Sequence, residues 1–244
     1  LYILQALAKK EKIERVVKSP YIKDIDTIAF PARHLIDLHS YTYKIGDKRA
    51  TTLITSRGCP FSCAFCSKDV WQNSEVRFHS PRYIFNELRD LVVDYNFRHF
   101  QFLDDTFTLD KIRLLEVCEM IKPLHIKFRA YVRSNTSKDE LLAMKGAGCI
   151  EVGVGIESGS QKILNTVNKG ITVGENTNFV KLCKEIGLCV NVFLMIGLPG
   201  ETRETVMETR RWMEEVRPHK FALNIFSPFR GTPIYNNISS YDMR

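Results

Sequence analysis

The sequence predicts an α/β fold in which six parallel strands and their helices make about three quarters of an eight-fold β/α barrel. Three observations lead there. From residue 50 onward, short β-branched runs alternate with amphipathic stretches. Capping signals mark the starts of several of those stretches. A helix between successive strands returns the chain to the same end of the sheet, which makes the strands parallel. Right-handed crossovers then curl the sheet toward a barrel.

The predicted strands are 51–56, 98–103, 126–132, 150–156, 188–196 and 219–226, with helices near 81–95, 110–121, 138–147, 160–166, 175–187 and 202–216. Ser80-Pro81, Thr108 with Asp110, Ser137 with Glu140, and Thr202 with Glu201 are the start signals. Ahead of the barrel, Ile3, Leu4, Leu7, Ile13, Val16 and Val17 recur at helical intervals, so a helix is expected over 1–17, ended by Pro20. Residues 24–33, with Pro31 and mixed polarity, read as an extended linker, and His34 to Leu38 as a short helix.

A chain of 244 residues with 44% hydrophobic and 26% charged residues is an ordinary globular one. No apolar run approaches the ~20 residues that cross a bilayer. Seven cysteines, an odd number with three clustered, do not make a secreted disulfide framework. They point to a reducing, cytoplasmic setting. The charge of +7 is spread along the chain, which reads as solvated helix faces more than as a nucleic-acid patch.

The chemistry concentrates in Arg57-Gly58-Cys59-Pro60-Phe61-Ser62-Cys63-Ala64-Phe65-Cys66. Three thiols on one short loop suit a soft metal bound by thiolates. An iron–sulfur cube takes four cysteines as a rule. With three local ones, one iron is left for a bound molecule. The same loop could also be most of a zinc site completed from elsewhere. Cys118, Cys149, Cys183 and Cys189 are scattered, and most read as small buried hydrophobes, Cys189 being of interest only if it faces the barrel interior.

The Cys-x3-Cys-x2-Cys spacing, with Phe65 before its last cysteine, resembles the signature of the radical S-adenosylmethionine (SAM) superfamily. The resemblance implies a partial (β/α)6, TIM-like barrel and a 4Fe-4S cluster held by Cys59, Cys63 and Cys66. In that family SAM binds the open iron and is cleaved reductively. A reductant such as a flavodoxin or ferredoxin is then a partner, and the substrate is not given by the sequence.

In a parallel barrel the site lies at the carboxyl ends of the strands. The resemblance extends there, strand by strand. Asp104-Asp105 stand where the family has a Gly-Gly-Glu-like motif that meets the SAM amino group; either carboxylate suits an ammonium, and a helix N-cap is the plain alternative. Arg133 offers a fork to the SAM carboxylate. Gly153-Val154-Gly155-Ile156-Glu157-Ser158-Gly159-Ser160 resembles the family's G-I-E-S-G-S phrase, with Glu157 near the ribose and the small residues, Ser158 among them, admitting close approach. Gly197-Leu198-Pro199-Gly200-Glu201 resembles the phrase near adenine, where Gly197 and Pro199 would act through backbone, and Phe65 would meet the adenine ring. Phe229 departs from the family's usual proline in Pro228-Phe229-Arg230-Gly231-Thr232-Pro233.

Ile25 to Arg33 is similar to the connector of the cobalamin-dependent branch, with Ile28-Ala29 where Leu-Pro is usual. On that reading 1–49 is a connector and the tail of an upstream cobalamin-binding domain, 50–235 is the radical SAM core, and 236–244 begins a C-terminal segment. Cobalamin would come from that upstream domain, because this stretch has no Asp-x-His-x-x-Gly motif. Two rival readings stay open. One is a methylthiotransferase acting on tRNA or protein, although its second cysteine triplet is not here; the other is a non-catalytic zinc or iron–sulfur module.

Overall fold

β-Branched and aromatic runs pair into a single six-stranded sheet. The structure is a computed structural model that describes residues 2–15, 21–68 and 75–241. The strands are β1 Thr51–Leu53, β2 His99–Phe102, β3 Lys127–Val132, β4 Cys149–Glu157, β5 Cys189–Ile196 and β6 Lys220–Ile225. All neighbours run parallel and follow chain order, so the sheet winds one way from β1 to β6. This is the expected partial barrel.

Helix α1 is Tyr2–Ala8. The crossover helices are α2 Pro81–Val93, α3 Lys111–Ile121, α4 Lys138–Gly146, α5 Gln161–Thr166, α6 Val173–Glu185 and α7 Arg203–Val216, followed by a single turn, α8 Pro233–Asn236. Ser80 caps α2, and Ser137 with Glu140 and Thr172 with Glu175 form capping boxes on α4 and α6. Two start signals resolve differently. Asp110 alone caps α3, while Thr108 bonds Thr136. Thr202 caps α7 with Thr205, and Glu201 instead accepts from the Gly197 amide.

The outer face of the sheet buries Phe100, Phe102, Phe128, Val152, Val154, Val190 and Val192 against the helices. Phe102 and Phe128 stack at 4.6 Å, and Phe107 packs beside Phe102 at 5.2 Å. The inner face is polar at its amino end. There Glu151 pairs with Lys220 at 2.6 Å and with Arg129 at 3.5 Å, and Arg129 reaches Gln101 and Tyr43.

The connector departs most from expectation. The helix expected over 1–17 stops at Ala8, because Lys10 turns left-handed (φ 58°) and the Lys10 and Glu11 amides bond back to Leu7 and Ala6. Val16, Val17 and Pro20 lie outside the described residues, as do residues 242–244 of the expected C-terminal segment. His34 to Leu38 is not a helix; two 3-10 turns, Arg33–Leu35 and Leu38–Ser40, flank Ile36-Asp37. The strand expected over 51–56 splits. Leu53 ends the parallel pairing, and Ser56–Arg57 pairs antiparallel with Arg77–Phe78. This ribbon forms the neck of the cysteine loop.

Candidate active site

The cysteine loop leaves β1 through that neck. Gly58 (φ 96°) fits there because a Cβ would meet the Glu75 carbonyl oxygen at 2.5 Å. Asp104 braces the neck from β2. It accepts from the Thr55 amide at 2.6 Å, the Thr55 hydroxyl at 2.5 Å and the Ser56 hydroxyl at 2.7 Å. Burial pushes its carboxyl above the usual range, and those hydrogen bonds pull it back. Arg113 completes the brace by donating to the Thr55 carbonyl at 2.6 Å and the His79 carbonyl at 2.9 Å.

Farther along, Ala64 is held on both sides. Its amide donates to Val167 O at 2.9 Å and its carbonyl accepts from Ile234 at 3.1 Å. Ala64 also packs with Ile163, Val167, Leu198 and Ile234 in a small apolar cluster. Asn168 donates to Ser62 O at 2.9 Å, and Lys68 to Cys59 O at 2.8 Å. The loop is thereby fixed at both ends and in its middle.

Cys59, Cys63 and Cys66 are free thiols, half-buried, and all three line a cavity of about 390 Å³. Burial, and then the charges of Cys63 and Cys59, push the Cys66 thiol up, against a backbone hydrogen bond that lowers it. Among the described residues no three His, Cys, Asp or Glu side chains converge as ligands of one metal ion. Thiolates that each cap a separate iron of a cube have no need to converge. Soft donors on a pre-shaped loop, opening on a cavity, fit an iron–sulfur cluster. Cys118 and Cys183, by contrast, are buried thiols pushed up to about 12, and burial raises Cys149 as well. They are core residues.

Of the other sequence candidates, Phe65, Asp105, Arg133 and Glu157 line the cavity. Asp104, Ser158, Gly197 and Pro199 do not. Asp104 is spent on the brace, and Ser158 is buried against α7, with its hydroxyl 3.1 Å from that of Thr209. Gly197-Leu198-Pro199-Gly200 turns around Glu201, beside the apolar cluster. Glu157 sits at a register shift between β4 and β5 with its backbone left-handed (φ 64°), unusual for a side chain of its size. Its carboxylate pairs with Lys169 at 2.7 Å, both groups nearly buried. Arg133 pairs with no carboxylate among the described residues.

Sequence reasoning passed over Lys169, Tyr131 and Phe193, which also line the cavity, as does Gly153 of the strand-four phrase. The Tyr131 and Phe193 rings lie edge to face at 5.8 Å. Between them Gly153 keeps the floor open, since a Cβ there would sit 2.7 Å from Tyr131 and 2.9 Å from Phe193. Strand parity carried the signal for the two aromatics. They alternate with the buried positions Ala130 and Val132, and Val192 and Leu194. Lys169 follows a helix in a loop, and no period marks it.

A parallel open barrel with a thiol-bearing loop over the carboxyl-end cavity places the chain among the α/β barrels that carry their site at the carboxyl ends of the strands. The chain belongs to the radical SAM superfamily, whose model matches residues 53–213. It is 35% identical over 227 residues to the uncharacterized methyltransferase PH0819 of Pyrococcus horikoshii, covering 92% of this chain and 49% of that protein. It is 29% identical over 236 residues to the anaerobic magnesium-protoporphyrin IX monomethyl ester cyclase of Cereibacter sphaeroides, covering 93% and 38%. The chain thus spans half or less of the length of these relatives. Among solved structures it resembles the radical SAM methyltransferase TsrM of Kitasatospora setae, with cobalamin and a 4Fe-4S cluster bound. The TM-score is 0.72 at 19% identity, over 78% of this chain and 37% of that one. At that identity the likeness speaks for the fold. The chain thus carries a radical SAM domain, and the cofactors of that family are a 4Fe-4S cluster and SAM. No helix among the described residues is long and apolar enough to cross a membrane.

Proposed function

We propose that Cys59, Cys63 and Cys66 hold a 4Fe-4S cluster at the cavity mouth and that the cavity binds SAM. When bound, the cluster supplies one-electron reductive cleavage of SAM, giving methionine and a 5′-deoxyadenosyl radical that acts on substrate. The observation carrying this reading is the juxtaposition of three thiols, a cation without a carboxylate partner and a buried Glu157–Lys169 pair around one cavity. Asp105 accepts from the SAM ammonium. Arg133 and Lys169 supply positive charge to its carboxylate. Glu157, with Oε1 engaged by Lys169, offers Oε2 to the ribose diol. Phe65, Tyr131 and Phe193 keep the pocket apolar and dry around the reacting carbon.

For the substrate step we propose methyl transfer to carbon with cobalamin held by a separate domain, which is supported by the methyltransferases among the relatives. Residues 1–49 then act as a connector strapped to the core at 50–235, and 236–244 start a further segment. An electron donor of flavodoxin or ferredoxin type completes the system. The test is anaerobic reconstitution with iron and sulfide, followed by reduction with dithionite in the presence of SAM. Wild type should turn brown and release 5′-deoxyadenosine or S-adenosylhomocysteine, and Cys63→Ala should do neither. Colour or SAM turnover retained in Cys63→Ala would remove the assignment.

A further inference from the structure

Arg133 is a buried cation with no carboxylate in direct contact; Glu175 feels its charge only at longer range. It is 8% exposed, yet no carboxylate among the described residues pairs with it. A guanidinium cannot relieve this by losing its proton. Its neighbour Lys169 is matched by Glu157 at 2.7 Å, so that carboxylate is already engaged. Its atoms are nonetheless firmly placed. Nη2 donates to the Lys169 carbonyl at 2.6 Å, and the guanidinium carbon lies 3.6 Å over the ring of Phe61, between two cysteines of the loop. Nε is buried and unpartnered. Nη1 faces the Cys63 sulfur at 4.0 Å.

The groups that turn negative beside this cation are the cysteines, which lose their protons when they bind metal. We propose that Arg133 is the fixed counter-charge of the iron–sulfur site, donating from Nη1 to Cys63 Sγ and raising the reduction potential of the cluster. This rests on the reading of Cys59, Cys63 and Cys66 as its ligands. Reduction adds one electron from an external low-potential donor and makes or breaks no bond, so the reduced state carries one more negative charge. A cation fixed beside a ligating sulfur favours that state over the oxidised one. Phe61 and the Lys169 carbonyl hold the guanidinium in position beforehand, so little reorganisation accompanies the electron. The effect needs no SAM, which separates it from any contact Arg133 makes with the SAM carboxylate.

The experiment is a redox titration of the reconstituted holoprotein without SAM, followed by electron paramagnetic resonance. It compares wild type, Arg133→Met, which keeps length but not charge, and Arg133→Lys, which keeps charge but not the fork. The midpoint is expected to move to more negative potential in Arg133→Met, with Arg133→Lys between it and wild type. An Arg133→Met cluster with the wild-type midpoint overturns the inference. Should Arg133→Met not retain iron, Arg133→Gln, which also removes the charge but keeps a polar side chain, decides: a lowered midpoint supports the role and a wild-type midpoint removes it. A wild-type protein that assembles no four-iron cluster overturns the cysteine assignment and this inference together, so the two failures are distinct.

Discussion

Glu157 combines two costs, a left-handed backbone on a non-glycine residue and a carboxylate taken out of water. Lys169 offsets the second, which makes the pair interdependent. Glu157→Gln keeps the shape and removes the charge. We predict that it leaves the iron content of the reconstituted protein unchanged and weakens SAM binding by about 1–3 kcal/mol, the scale of a lost charge-assisted hydrogen bond. Anaerobic equilibrium dialysis measures this, and an unaltered affinity would take Glu157 out of the site. The residue scale is also where the sequence was hardest to read. That Cys59, Cys63 and Cys66 share one cavity was legible because their spacing is local. Asp104 and Asp105 were not separable, since a strand end allows either to point inward; Thr55 and Ser56, half the chain's first hundred residues away, decide it. Lys169 depends on a contact across the cavity that no local pattern encodes.

At the scale of elements, the connector shows why a segment with weak periodicity can still be ordered. Asp26 accepts from His79 at 2.9 Å and from the Ser80 amide at 3.1 Å, His79 stacks on Tyr83 at 3.9 Å, and the Tyr83 hydroxyl donates to Ile28 O at 3.0 Å. Arg33 and Glu87 add an ion pair at 2.6 Å. Burial raises the Asp26 carboxyl, but hydrogen bonds from Ser80 and His79 outweigh it and hold the group below the ordinary range. A carboxyl lowered on folding contributes stability above its unfolded value, about pH 3.9, and loses it as pH falls through the folded value. The connector should therefore stay docked at neutral pH and loosen on strong acidification. Asp26→Asn should weaken docking by about 1 kcal/mol, seen as faster amide exchange across residues 21–33 at pH 7; exchange identical to wild type would show that the strap is held by other contacts. Barrel strands and helices were legible to within a few residues because burial and period agree there. The helix expected over 1–17 failed because Lys9-Lys10-Glu11-Lys12 has nothing apolar to bury and the chain turns at Lys10.

Across the whole molecule the barrel is well covered except at β6. Phe221, Leu223 and Ile225 alternate along this edge strand and are 63%, 52% and 81% exposed. An open edge with an apolar face is a template for pairing between chains. We predict that these 244 residues alone self-associate through β6. Ile225→Lys should shift the sedimentation profile toward monomer with the far-ultraviolet spectrum unchanged, and the same mass distribution in both proteins would place the contact elsewhere. The sequence predicted six strands and their order but not which edge would be bare, because Phe221 to Ile225 reads like the covered strands beside it.

The neck of the cysteine loop bears on how the enzyme matures. Asp104, Arg113, Ala64 and the Ser56–Arg57 ribbon shape the thiol-bearing turn from protein contacts alone. In a zinc finger the metal must also fold its domain. On the proposed reading these contacts would shape the loop before iron and sulfide arrive, and the energy of the iron–sulfur bonds would go into gripping the cluster rather than into organising the chain.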